Sequence, residues 1–200
     1  MRALILAGGS GTRLELGEKP LVLVRDRPMI EYVIDAFSAS GHDVIVVLSG
    51  KTPYTHNWCR ARGITHLTAS GTGYIEDIAE AAGILEEEGP FFTCVADLPC
   101  LHPQIIREIE LRYRASGKEA CSVWFPRDLA SATGCRTPYT GDVCGIPACP
   151  AGINILRGDL IARSQDELRI LLHEKSLVFN INTREELALL RSITNGDPQK

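Results

Sequence analysis

The residues best equipped for chemistry open the chain. Residues 7–13 read Ala-Gly-Gly-Ser-Gly-Thr-Arg, and Glu18, Lys19 and Pro20 follow within one short reach. Gly8, Gly9 and Gly11 let a backbone turn and bring its N–H groups against a ligand with no Cβ in the way. Ser10 and Thr12 add hydroxyl donors, and Arg13 and Lys19 add two cations. Such a set can cradle a polyphosphate. It is not the mononucleotide P-loop, which needs Lys and then Ser or Thr directly after its last glycine, because Thr12 and Arg13 follow Gly11. Nor is it the dinucleotide fingerprint: Gly9 and Gly11 fit, but Leu14 stands where the third glycine belongs. A second candidate is Asp97, which with Leu98 and Pro99 ends an apolar run over residues 91–96. A carboxylate at the carboxyl end of a buried parallel strand lies where open α/β sheets bind ligands.

The elements that must hold these residues follow from apolar periodicity. The run over residues 3–7, ended by glycines, reads as a buried strand feeding a tight loop. Residues 21–24 continue as a short extended piece and 25–28 as a turn, with Pro28 placed to start a helix. Ile30, Val33, Ile34 and Phe37 keep helical spacing up to a stop at Gly41. Residues 44–48 form a β-branched strand, 54–63 a short helix and 64–68 a third strand. A second glycine loop, residues 69–77, separates that strand from a helical stripe of Ile75, Ile78, Ala79, Ala82 and Leu85. A helix is expected over 103–116 and a strand over 120–125.

Residues 126–150 then break the pattern, with four prolines, three glycines and three cysteines, and read as a long functional loop. Cys135, Cys144 and Cys149 are spaced by nine and five, unlike the common paired zinc ligands. Beyond them we expect a loop into a strand over 150–156, a helix over 165–174 and a last strand over 177–181. A final helix follows, with Thr183 and Glu186 as its capping box, before a frayed tail over 195–200. Alternating strands and helices predict one three-layer α/β domain over residues 1–200 with a mostly parallel sheet.

A chain of 200 residues can bury roughly 70% of its unfolded surface. Its 44% hydrophobic and 23% charged residues are an ordinary globular balance. A net charge of −4 and a pI near 5.8 argue against a general nucleic-acid or membrane surface. An anionic ligand must then be held by local cations. No apolar run approaches the ~18 residues of a membrane span, and no secretory leader is read at the N-terminus. Seven cysteines, an odd number, read as reduced thiols, and the cytoplasm is the expected compartment.

Residues 6–14 together with 18–20 resemble the N-terminal motif of nucleotidyltransferases that attach a nucleoside monophosphate to a phosphorylated acceptor and release pyrophosphate. Residues 71–77, 150–154 and 179–183 narrow the likeness. With them the chain resembles the archaeal-type adenosylcobinamide-phosphate guanylyltransferases, within the molybdenum-cofactor-guanylyltransferase-like nucleotidyltransferases. The resemblance implies a Rossmann-like nucleotidyltransferase domain. It implies that Leu6, Ala7, Gly8, Gly9, Ser10, Gly11, Thr12, Arg13 and Lys19 bind the nucleotide, and that Arg13, Lys19 and Asp97 are catalytic. Backbone groups of Ser70, Gly71 and Thr72 would read base edges, and Glu76 would accept from a purine ring N–H. Asp97 would carry Mg²⁺, with Asn182, or its neighbour Asn180, completing the metal shell.

Gly152 and Asn154 would meet the acceptor, Gly152 because a bare backbone before a strand permits close approach. The implied partners are GTP and adenosylcobinamide phosphate, with a homodimer left open. Two alternatives remain at this stage: a different acceptor, molybdopterin or a sugar phosphate, or a nucleotide-binding protein without catalysis. The second has no need of a metal aspartate beside two cations.

Overall fold

A computed structural model of the protein describes residues 1–9, 11, 14, 16–135 and 139–195. Ser10, Thr12 and Arg13, and with them the roles expected of these three, lie outside the described residues, as does most of the tail. In chain order the elements are β1 (Arg2–Leu6), β2 (Leu23–Val24), β3 (Arg27–Pro28), α1 (Met29–Ser38), β4 (Asp43–Ser49) and α2 (Pro53–Ala61). Next come β5 (His66–Ala69), α3 (Tyr74–Ile84), β6 (Pro90–Val95), α4 (Pro103–Ser116), β7 (Ala120–Pro126) and α5 (Arg127–Thr133). The last are β8 (Gly141–Val143), β9 (Ile146–Arg157), β10 (Glu167–Leu171) and α6 (Arg184–Asn195).

The main sheet has the order β10-β7-β9-β6-β1-β4-β5, with β8 paired to β9, while β2 and β3 form a separate hairpin. β1 lies parallel to both β4 and β6, β4 to β5, and β7 to β10. Within this main sheet, among the described strands, only β9 runs against its neighbours β6, β7 and β8. This is the three-layer, mostly parallel arrangement that the alternating pattern predicts.

The apolar runs are continuous because both faces of the central strands are covered. Ala3 and Ile5 of β1, Val46 and Leu48 of β4, and Phe92 and Cys94 of β6 pack into a large core with α1 and α4. Their alternates Leu4, Ile45, Val47 and Phe91 pack on the other face against Ile78, Ala81 and Ala82 of α3. Successive side chains of a strand point to opposite faces, so each strand feeds both layers.

Three expectations are corrected. Residues 165–174 hold an edge strand, β10, and not a helix. Leu168, Ile170 and Leu172 alternate with exposed Glu167 and Arg169, which is a period of two. Residues 177–181 are not a strand: a 3-10 turn, Lys175–Val178, leads into an irregular segment, and the run is apolar because Leu177, Val178, Phe179 and Ile181 are all buried. The stretch 126–150 is no open loop, since it contains α5, the β8–β9 hairpin and much of β9, whose twelve residues begin before the predicted strand. Pro150, one of the prolines that mislead here, sits where a strand tolerates it. Pro150 pairs with Trp124 at a register shift against β7, where β9 spends extra residues in a bulge.

Gly152 lies in that bulge at φ +76, and a Cβ built there comes within 2.7 Å of Val95 Cγ2. Both the backbone angle and the lack of room demand glycine. We predict that Gly152→Ala destabilises the fold by roughly 1–3 kcal/mol in denaturant unfolding. Gly83→Ala, on open helix surface in α3, serves as the control and gains up to about 1 kcal/mol. A Gly152→Ala protein as stable as the wild type contradicts this reading of the bulge.

Candidate active site

β1, β4, β5 and β6 are mutually parallel, so their carboxyl ends share one edge of the sheet, and β1 lies where the strand order turns from one side to the other. A crevice outside such a switch point is where open α/β sheets take ligands. A cavity of about 450 Å³ lies there. Its walls come from Leu6 to Gly9 and Gly11 after β1, Lys51 after β4, residues 71–74 and Asp77 after β5, and residues 95–97 after β6. Lys19, Pro20 and Asn182 complete it. Leu6, Ala7, Gly8, Gly9, Gly11, Lys19, Gly71, Thr72, Asp97 and Asn182, all expected at a site, are brought together.

The polar centre of the cavity is the Lys19 ammonium. It donates to Asp97 Oδ2 and, at 2.6 Å, to Asn182 Oδ1. Asp97 is 9% exposed, and a carboxylate buried to that degree needs a charged or donating partner. Asn180 adds a second: with its amide nitrogen turned to the carboxylate it lies 3.1 and 3.0 Å from the two Asp97 oxygens.

Each member is fixed by the fold. Gly11, at φ +60, passes so close that a Cβ there would meet Lys19 Cβ at 2.5 Å. The Ile181 N–H donates to the Asp97 carbonyl at 3.1 Å, pinning the segment before α6 beside the end of β6. Glu186 accepts from the N–H groups of Asn182 (2.7 Å) and Thr183 (3.0 Å), while the Glu186 N–H donates to Thr183 Oγ1. This is the predicted capping box, and it orients Asn182 as well as starting α6.

At the far end of the cavity several expected residues stand apart from its walls. Ser70 and Glu76 do not line it; Glu76 is exposed, and the Ser70 N–H donates to Glu80. The Gly71 N–H is likewise spent on Asp77 Oδ1 at 2.9 Å, so neither amide is free to read a base edge. Lys51 and Asp77, not singled out in the sequence, stand there instead. Lys51 Nζ donates to the Gly71 carbonyl at 2.6 Å, and Ser49 Oγ donates to the Gly8 carbonyl at 2.6 Å, joining three loops. A signal was present: Gly50-Lys51 directly follows a buried parallel strand, the same context as the first loop. Gly152 and Asn154 also stay outside the lining. The room at Gly152 is taken by Val95, as described above.

The chain matches the MobA-like NTP transferase domain over residues 3–186. It belongs to that family. This nucleotidyltransferase is 31% identical over 209 residues to adenosylcobinamide-phosphate guanylyltransferase of Methanocaldococcus jannaschii, covering 98% of this chain and 99% of that protein. It is 34% identical over 105 residues to 2-aminoethylphosphonate cytidylyltransferase of Lancefieldella rimae, covering 48% and 42% of the two chains. Among solved structures, molybdopterin-guanine dinucleotide biosynthesis protein A of Archaeoglobus fulgidus superimposes with a TM-score of 0.69 at 16% identity, over 98% of this chain and 100% of that one. A CMP:2-keto-3-deoxy-manno-octonic acid synthetase superimposes with a TM-score of 0.72 at 14% identity, over 97% and 98%. At these identities the structural likeness speaks for the fold alone.

One wall of this MobA-like site is an aromatic ring held from behind. Tyr74 is 42% exposed, yet its hydroxyl turns inward, where Asn154 Nδ2 lies 3.3 Å away; the same amide meets Thr93 Oγ1 at 3.3 Å. Asn154 therefore reaches the site through Tyr74. Burial of the hydroxyl pushes the Tyr74 phenol up to about 12 from 10.0, with the hydrogen bonds to Thr93 and Asn154 opposing. A raised phenol pKa means the unfolded chain loses its proton first. Stability from this group is intact below pH 10.0 and lost as the pH rises through about 12. We predict that denaturant unfolding of wild type shows an alkaline decline, to which the buried thiols of Cys59, Cys100 and Cys121 also contribute, and that Tyr74→Phe makes it shallower. Identical pH slopes for the two proteins would count against the buried hydroxyl.

Proposed function

We propose that this nucleotidyltransferase transfers GMP from GTP to adenosylcobinamide phosphate, giving adenosylcobinamide-GDP and pyrophosphate. The observation that carries the reading is the end-to-end similarity to a protein of that name, 31% over 98% of this chain. It is supported by the clustering of Lys19, Asp97 and Asn182 in one cavity.

The chemistry needs little from side chains. A phosphate monoester has a second pKa of about 6 and is largely a dianion near neutral pH. Its oxygen attacks the α-phosphorus in line, the new O–P bond forms, and the bond to the β-phosphate bridge breaks with its electron pair leaving on pyrophosphate. No general base is required. Catalysis rests on aligning two anions and neutralising the charge that gathers on the leaving group. Lys19 supplies one cation at the site, and Arg13 is proposed as a second.

Mg²⁺ takes oxygen ligands, commonly one or two carboxylates with substrate phosphates. The oxygens of Asp97 and Asn182 already converge on one ammonium, which is a donor set suited to such a cation. Asp97 and Asn182 would hold the ion, with Asn180 beside them, and when bound it would offset charge on the phosphates. Gly9, with open space over its α-carbon, leaves room for the phosphates to approach the backbone.

The test is a panel of GTP, ATP, CTP and UTP against adenosylcobinamide phosphate, molybdopterin and sugar 1-phosphates, scored for pyrophosphate. We expect release from GTP with adenosylcobinamide phosphate. Lys19→Ala and Arg13→Ala each lower turnover by about tenfold or more, the loss of one charge-assisted hydrogen bond worth roughly 1.5–3 kcal/mol. Asp97→Asn lowers transfer far more than folding stability, and excess chelator stops it. Efficient transfer to a different acceptor, or turnover that persists in chelator, overturns the corresponding part of the reading.

A further inference from the structure

Lys19 reaches the centre of the cavity from the end of the first glycine loop. Leu14 is buried, but Leu16 and Gly17 are exposed, and Gly17 has φ +86. The next residue, Glu18, turns its carboxylate away from the cavity and onto the start of α2. Glu18 Oε1 accepts from the Tyr54 N–H at 2.8 Å. Glu18 Oε2 accepts from the Thr55 N–H and from Thr55 Oγ1, each at 2.6 Å.

Those two amides are the open donors of a helix first turn, and a helix normally finds an acceptor for them at its own N-cap. Here the N-cap residue, Thr52, makes no side-chain cap and its hydroxyl donates to the Ser49 carbonyl at 3.2 Å. Pro53 has no N–H to offer, and the His56 N–H is taken by the Thr52 carbonyl. Capping of α2 is therefore handed to a carboxylate 36 residues upstream, where the helix dipole favours a negative charge. Thr55 itself is fully buried, so this anchor is not a mobile surface contact.

The tie joins two walls of the site. On one side it fixes the backbone immediately before Lys19, with buried Pro20 immediately after. On the other it fixes the helix that follows directly on Lys51, whose turn is closed by Thr52 N–H to the Ser49 carbonyl. We propose that Glu18 is a positioning residue for nucleotide binding: its contacts with α2 hold Lys19 at the triphosphate site. This rests on the reading of Lys19 as a triphosphate ligand, and it predicts an effect on GTP affinity that depends on Lys19.

The experiment measures GTP affinity by calorimetry, in the presence of Mg²⁺, for wild type, Glu18→Ala, Lys19→Ala and the double variant, with melting temperatures alongside. Glu18→Ala is expected to weaken GTP about fivefold, and Lys19→Ala about tenfold. In the Lys19→Ala background the Glu18 change should add nothing to the affinity loss while still lowering the melting temperature, because coupled residues are not additive. Thr55→Val, which removes one hydroxyl from the cap and leaves the cavity untouched, should show a smaller loss with the same dependence on Lys19, and it replaces Glu18→Ala if that protein does not fold. Additive losses, or a Glu18→Ala protein that melts early but binds GTP normally, overturn the proposal and leave Glu18 a cap only. Unchanged affinity in Lys19→Ala sinks the assignment of Lys19 itself, a result distinguishable from the other two.

Discussion

One half-buried ammonium holds three distant parts of this chain in a single place. Lys19 bridges Asp97, 78 residues downstream, and Asn182, 163 residues downstream. Without it a carboxylate would stand largely out of water with only amide donors beside it, a costly arrangement. The surroundings follow from this requirement. Gly11 has to be a glycine because Lys19 passes against it, Pro20 is buried to turn the chain, and the α6 capping box sets Asn182 at the right depth. The site is thus a meeting point of the first loop, the end of β6 and the segment before α6, and no single motif contains it.

The same contact explains how a weakly acidic chain can host an anionic ligand. The net charge of −4 gives no long-range attraction, so cations have to be local. Lys19 and Lys51 stand in the same cavity, one tied to a carboxylate and the other to a backbone carbonyl. Each is held by acceptors that an incoming phosphate or base could replace, so the cavity is ordered before binding rather than by it. Preorganised charge of this kind costs nothing to arrange at the moment of reaction.

Much of this was legible in the sequence, and the reasons are physical. β1, β4 and β6 announce themselves because a parallel strand covered on both faces must be apolar throughout, and Asp97 is conspicuous as the carboxylate ending such a run. The Thr183–Glu186 box is local chemistry and appears where expected. The failures lie where tertiary context overrides local pattern. Residues 177–181 are apolar because the core surrounds them, not because they pair in a sheet, and short apolar runs do not separate those cases. Pro150 of β9 looks like a loop residue until the bulge beside it is seen. Lys51 was signalled only by its place directly after β4, and Asp77 not at all, since their place in the cavity depends on how two loops fold over the ends of β4 and β5. Gly152 was noticed for the right reason, close approach, but the approaching group is Val95.

The most direct test of the central claim, that the Lys19 ammonium is the anchor of a triphosphate, is a crystal structure with a non-hydrolysable GTP analogue and Mg²⁺. The account predicts phosphate oxygens within hydrogen-bond distance of Lys19 Nζ, against Gly8 and Gly9, with the metal on Asp97. An analogue bound elsewhere, with the Lys19 contacts to Asp97 and Asn182 unchanged, would contradict it.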